Sequence, residues 1–261
     1  MATKSCVFLM YHEIELPGRP LCQSEPGYVR YILTDQTFRD QMQWIKDSGF
    51  RGLSVAEALR YPPEPSVCIT FDDGCETDLI AAAPVLLAAG FHATFYLTAG
   101  FLGMPGYLSA QQVRELDAQG FEIGCHSMTH PYFPDLPEPE LKREIVDAKF
   151  QIEQILGHAV EHFSCPGGRY DGRTLEMARR AGFRSVANSR FRSNSAATSR
   201  YELGRVAMLR DMPREEFAAT CQNRGLWKKE WRNRARRAGQ RLLGNHFYDR
   251  LRAVLLRGSK P

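Results

Sequence analysis

Strand-length apolar runs alternate with helix-patterned segments from residue 5 to about residue 220, and few folds accommodate that order. SCVFLMY (5–11), SVCITFDD (66–73), HATFYLT (92–98), FEIGCH (121–126), HFSCP (162–166), FRSVANS (183–189) and RVAML (205–209) read as strands. Helices are expected between them at 35–48, 77–89, 109–119, 138–156, 174–181 and 213–220. In the first of these Phe38, Met42 and Ile45 recur at helical spacing. Gly49, Gly90 and Gly120 stand where three helices should stop. Ser54 and Glu57 have capping-box spacing, and Ser109 is placed to cap. The pattern predicts a parallel sheet with crossover helices, satisfied equally by a barrel and by an open doubly wound sheet. No G-x-G-x-x-G follows a strand, so dinucleotide binding has no support.

At 261 residues and 43% hydrophobic content, the chain can bury one large core without disulfide or metal staples. Its seven cysteines are odd in number, lack C-x-x-C spacing and sit largely in apolar runs. They read as reduced core residues of a cytoplasmic protein. The apolar run after Lys4 is too short for a signal peptide, and no stretch reaches membrane-spanning length.

The net charge of +4 hides a division, because twelve of the 34 Lys and Arg lie in residues 224–261, opposed there only by Glu230 and Asp249. The chain therefore divides into a domain at 1–222 and a basic amphipathic helical tail at 223–261. That tail also carries Leu226, Trp227, Trp231, Leu242, Leu243, Phe247, Leu251 and Leu255. A solvated helix face packed on the domain is the commonest explanation of such a run. The sharper one is a helix resting on an anionic membrane, at the inner face of the cytoplasmic membrane. Charge alone speaks for nucleic acid, which is not an expected partner.

Three polar clusters fall at the ends of expected strands. They are Thr70-Phe71-Asp72-Asp73-Gly74, His126-Ser127-Met128-Thr129-His130, and Phe163-Ser164-Cys165-Pro166-Gly167-Gly168-Arg169-Tyr170. In a parallel barrel the carboxyl ends of several strands build one site. His126 and His130 are four apart, so one helical turn would put both imidazoles on one side. A carboxylate from another strand would complete a His₂-carboxylate metal site with positions open for water and substrate. Zinc is the first choice for such ligands, with Fe2+, Co2+ or Ni2+ compatible by ligand type. Neighbouring aspartates in extended chain point oppositely, which suits one to the metal and the other to work as a base. The bland readings are an Asp-Asp-Gly turn and a surface His pair; the coincidence of both at strand ends favours chemistry.

At these residues the chain resembles the polysaccharide deacetylase family (carbohydrate esterase family 4), which includes chitin, chitooligosaccharide and exopolysaccharide deacetylases. TFDDG resembles its first motif, HSMTH its H-[ST]-x-x-H motif, and FSCPGG part of its aromatic-x-x-Pro-x-Gly motif. The resemblance implies an incomplete (β/α) barrel of about seven parallel strands. It implies Asp73, His126 and His130 as metal ligands and Asp72 as the base. Two departures stand out. The family often has Arg where this chain has Ser164, and Arg169 is the expected substitute. The Leu-x-His motif that usually supplies the general acid is missing after Arg210. FLMYHEI (8–14) resembles the opening of a permuted branch, which implies His12 as the acid.

The resulting expectation is a metal-dependent hydrolase that removes N-acetyl groups from an acetylamino sugar in a polysaccharide, oligosaccharide or lipid-linked glycan. A backbone N–H near Gly167 would help hold the oxyanion, with Arg169 and Tyr170 beside the substrate. Two alternatives are hydrolysis of O-acetyl esters or non-sugar amides, and an inactive sugar-binding module.

Overall fold

The computed structural model describes residues 5–61, 65–227 and 230–231. Its frame is a set of seven parallel strands: β1 (Ser5–Tyr11), β2 (Ser66–Asp73), β3 (Thr94–Leu97), β4 (Glu122–Cys125), β5 (His162–Ser164), β6 (Ser185–Ala187) and β7 (Val206–Ala207). They neighbour one another in the order β7-β1-β2-β3-β4-β5-β6. The sheet curls into an incomplete barrel, and its seam is a single bridge between Ala187 and Leu203. Two short strands extend the lower rim: Arg51–Leu53 beside the start of β2, and Asn194–Ser195 antiparallel to the start of β1. Neither was expected, since two or three residues carry no readable periodicity.

Alternation along each strand sorts the side chains into two cores. Cys6, Phe8, Cys68 and Tyr96 line the inside with Leu53, Ala187 and Leu203. Outward, Tyr11, Phe71 and Phe95 stack across β1, β2 and β3 at ring separations of 5.3 and 4.9 Å, under the helix Asp35–Asp47 and its Phe38. That helix starts where Thr34 caps Thr37 N–H and buries Phe38, Gln41, Met42 and Ile45. Full burial of each such apolar side chain is worth about 1.5–3 kcal/mol. Both Ser54 and Ser109 form complete capping boxes.

Two helices depart from the regular form that was expected. The stretch 138–156 is interrupted by a π-helical turn at Arg143–Asp147, and the helix Ala83–Ala89 is preceded by one at Asp78–Ala82. Each irregular turn carries an acid into the interior, Glu144 (5% exposed) and Asp78 (0%). Such turns are frequently found at functional sites.

Register aligns the carboxyl ends. Asp73 pairs with Leu97, Leu97 with Cys125, and Cys125 with Phe163. Asp73, His126 and Ser164, at or just past those positions, therefore share one rim. No helix among the described residues is long and apolar enough to cross a membrane. The membrane-binding expectation for the tail falls almost entirely outside the described residues.

Candidate active site

Asp72 and Asp73 end β2, and the fold treats them in opposite ways. Asp72 points into the barrel, where Arg205 grips it with two bonds, Nη1 to Oδ1 at 2.6 Å and Nη2 to Oδ2 at 2.7 Å. The same guanidinium donates to Ser164 Oγ at 2.6 Å and Thr70 Oγ1 at 3.1 Å. Burial by itself raises the Asp72 carboxyl, but the charge of Arg205, reinforced by His126, holds it well below the usual carboxylate range. Asp72 thus stays ionised while almost wholly enclosed.

This arrangement corrects the expectation that Arg169 replaces the missing motif arginine at Ser164. Arg169 lies over the Tyr132 ring, 3.6 Å from its centre. Arg205 takes the place, entering from the far side of the seam at the foot of β7. β7 and β2 both flank β1, so the guanidinium reaches Asp72 across β1 and Ser164 across the seam. Its one sequence signal was a charge opening an apolar run.

Asp73 does not follow simple alternation. Its φ of 80° turns the backbone left-handed, so its carboxylate swings toward the second cluster instead of away from Asp72. Oδ1 lies 3.7 Å from His126 Nε2 and 3.6 Å from His130 Nε2, and these three residues have donor atoms within 4.8 Å of one another. The two histidines are not on a helix, contrary to the one-turn expectation. Residues 126–130 form a tight bend with positive φ at Ser127 (75°) and His130 (62°), and it brings the two rings to 5.0 Å. Glu144 holds that bend, accepting from Met128 N, Thr129 N and Thr129 Oγ1 at 2.9, 2.7 and 2.7 Å. Sequence reading missed Glu144, because a glutamate within a helical pattern looks like any solvated one.

The donor set can be tested for a metal. Ser164 O can only accept, so His126 Nδ1 must donate to it at 2.9 Å, leaving the Nε2 lone pair facing Asp73. Burial first of all lowers His126 to about 4, so it is neutral near pH 7. Asp73 Oδ1 is buried with no hydrogen-bond partner, while Tyr28 Oη donates to Oδ2 at 3.1 Å. Oxygen and nitrogen lone pairs converging without a proton between them repel unless a cation sits there. The residues fit a divalent metal.

His12 follows β1 directly and stands against the same rim. Its ring packs 5.1 Å from Tyr31 and 6.2 Å from Tyr28, with Nδ1 buried and lacking a hydrogen-bond partner. Burial lowers its pKa, partly countered by the charges of Asp73 and Asp72. Gly167, with φ 58°, lies against Tyr132, the ring that Arg169 covers. Tyr170 Oη donates to Glu202 at 2.7 Å, and Arg190 lies over its ring, 5.4 Å from the centre.

Residues 60–186 match the family model for polysaccharide deacetylase. That stretch, just under half of the chain, is similar to the polysaccharide deacetylases and contains Asp72, Asp73, His126 and His130. It is 28% identical over 217 residues to the putative polysaccharide deacetylase YxkH of Bacillus subtilis, covering 81% of this chain and 74% of that one. To the chitooligosaccharide deacetylase of Azorhizobium caulinodans it is 31% identical over 126 residues, 48% of this chain and 58% of the relative. Among solved structures, the Streptococcus pyogenes deacetylase PplD in complex with acetate superposes with a TM-score of 0.74 at 25% identity, covering 84% of this chain and 99% of that one. Within a polysaccharide deacetylase fold, the rim described above is the place where chemistry is expected.

Proposed function

We propose that this chain is a metal-dependent N-deacetylase of an acetylamino sugar carried in a polysaccharide, oligosaccharide or lipid-linked glycan. The observation that carries this reading is the division between neighbouring aspartates: Asp72 is ionised and clamped by Arg205, while Asp73 leaves an unpartnered oxygen facing two imidazoles. One carboxylate is thus kept as a base and the other as a ligand. Relatives named as deacetylases of chitooligosaccharide, peptidoglycan N-acetylglucosamine and poly-β-1,6-N-acetylglucosamine support the substrate class.

Asp73, His126 and His130 would hold the metal, with zinc the first choice and Co2+, Ni2+ or Fe2+ compatible. When bound, it supplies Lewis acidity toward a carbonyl oxygen and toward water. Asp72, fixed by Arg205 and Ser164, takes the proton of the attacking water. His12, when protonated, donates to the departing amine, a role typically worth ~10²–10⁴ in rate. A backbone N–H near Gly167 would support the developing oxyanion. Tyr28, bonded to Asp73 Oδ2, orients that ligand.

The test is metal content and acetate release on N-acetylglucosamine oligomers for wild type, Asp72→Asn and His12→Ala. Wild type should hold a divalent metal at this site and release acetate with free amine in equal amount. Both variants should keep the metal and lose turnover. Absence of a metal that depends on His126 and His130 would refute the reading.

A further inference from the structure

A second group of soft and hard ligands lies beside the first. Glu13, Cys22 and Cys75 have donor atoms within 4.8 Å of one another. They come from three separate places: the residue after His12, the loop following β1, and the turn just past Asp73. Glu13 and Cys75 are buried and Cys22 is half-buried. The Cys22 backbone N–H donates to both Glu13 oxygens at 3.0 and 3.1 Å, and its Sγ is 3.1 Å from Gly106 O. Gly106 packs tightly here in a left-handed conformation (φ 87°), and a Cβ on it would stand 3.0 Å from the Cys22 sulfur.

Asp78 supplies an independent observation. It is fully buried on its π-helical turn, and neither carboxylate oxygen has a hydrogen-bond partner. Its electrostatic neighbours are Asp73, Cys22, Glu13 and Asp72, all acids or thiols. A carboxylate enclosed this way calls for a proton or a cation. Two thiols and a carboxylate already gathered at one point favour the cation. Thiolate with carboxylate is a ligand set that zinc accepts, at about 2.3 Å to sulfur and about 2.0–2.2 Å to oxygen.

We propose that Glu13, Cys22 and Cys75, with Asp78 beside them, form a second divalent-metal site of structural kind, with zinc as its cation. It pins the loop after β1 to the turn after β2. Tyr28 connects the two sites, its Oη lying 3.1 Å from Asp73 Oδ2 and 3.8 Å from Cys75 Sγ. Metal at the second site therefore fixes Tyr28 on the ligand of the first. The proposal goes beyond the deacetylase reading and does not depend on it.

The test uses the full chain, with zinc counted by elemental analysis and the zinc then exchanged for Co2+. Sulfur ligation gives a thiolate-to-cobalt charge-transfer absorption, which a His₂-carboxylate site cannot produce. Wild type should hold two zinc ions per chain and show that absorption. His126→Ala/His130→Ala should drop to one zinc and keep the absorption, while Cys22→Ser should drop to one zinc and lose it. Cys22→Ser is chosen because Cys22 is half-buried; Glu13→Gln tests the same site without touching a thiol. One zinc in wild type, lost in the double histidine variant and unaffected by Cys22→Ser, would overturn the second site and leave the first standing. A Cys22–Cys75 disulfide in the native protein, found by peptide mapping, would overturn it as well. Sulfur-ligated metal with no acetate release from wild type would instead count against the deacetylase reading.

Discussion

Arg205 offers the sharpest perturbation, because its buried guanidinium is the counter-charge of the buried Asp72 carboxylate. Arg205→Met keeps much of the stem volume and removes two bonds to Asp72 at 2.6 and 2.7 Å. Asp72, 2% exposed, is then left with Ser164 Oγ at 3.5 Å in place of a cation. Breaking a buried pair this way costs roughly 3–5 kcal/mol of stability. A unit charge at about 4 Å is worth about 4 kcal/mol at an effective dielectric of 20, equivalent to about three pH units on the carboxyl. The sign follows from the direction of the shift. Asp72 is held below its ordinary value, so its stabilising contribution is present above the unfolded-state value and lost as pH falls through the folded one. Without Arg205 only His126 and His12 oppose burial, and Asp72 takes up its proton at a higher pH. The expected result is a lower Tm, metal retained at neutral pH through Asp73, His126 and His130, and an acid limb of kcat/KM moved upward by about two to three units. Arg205→Lys keeps a charge but loses the two-pronged grip, and should move the limb by about one unit. The assay is a pH profile of acetate release on metal-loaded protein, with thermal unfolding alongside. A folded Arg205→Met or Arg205→Lys enzyme with the wild-type acid limb would refute the reasoning.

Further outcomes follow from other contacts. Glu144→Ala frees the bend between His126 and His130 and should weaken metal binding about 10–100-fold in competition with a chromophoric chelator, whereas unchanged affinity would show that the bend holds itself. Gly124→Ala would place a Cβ 2.4 Å from the Tyr96 ring, so urea unfolding should show a loss of about 1–3 kcal/mol; an unchanged midpoint would contradict the close packing inside the barrel. His12→Ala should lower amide turnover by ~10²–10⁴ but affect an activated aryl acetate far less, since that leaving group needs no proton. Equal losses on both substrates would point to a role for His12 other than acid.

Local physics explains why so much was readable in advance. β1 and β2 occupy the runs expected of them, 5–11 and 66–73, because continuous apolar stretches ended by polar residues have few other uses. Ser54, Ser109 and the glycines at 49, 90 and 120 act within a few residues of themselves, so caps and stops are visible from spacing alone. The family and its incomplete barrel were legible because TFDDG and HSMTH are contiguous. What joins distant positions was not. Arg205 reaches Asp72 across 133 residues, because β7 returns to the free side of β1 only once the sheet is assembled. Glu144 meets residues 128 and 129 because a π-helical turn rotates it inward, and nothing in the helical pattern marks that irregularity. Cys22 and Cys75 looked like inert apolar residues until folding set them beside Glu13 and Asp78. Sequence alone determined which residue types were available and where the capped helices and the two longest strands end, since propensity, capping and alternation are short-range. Tertiary structure alone decided which charges face one another, since burial and pairing depend on separations that arise only when the strands close up.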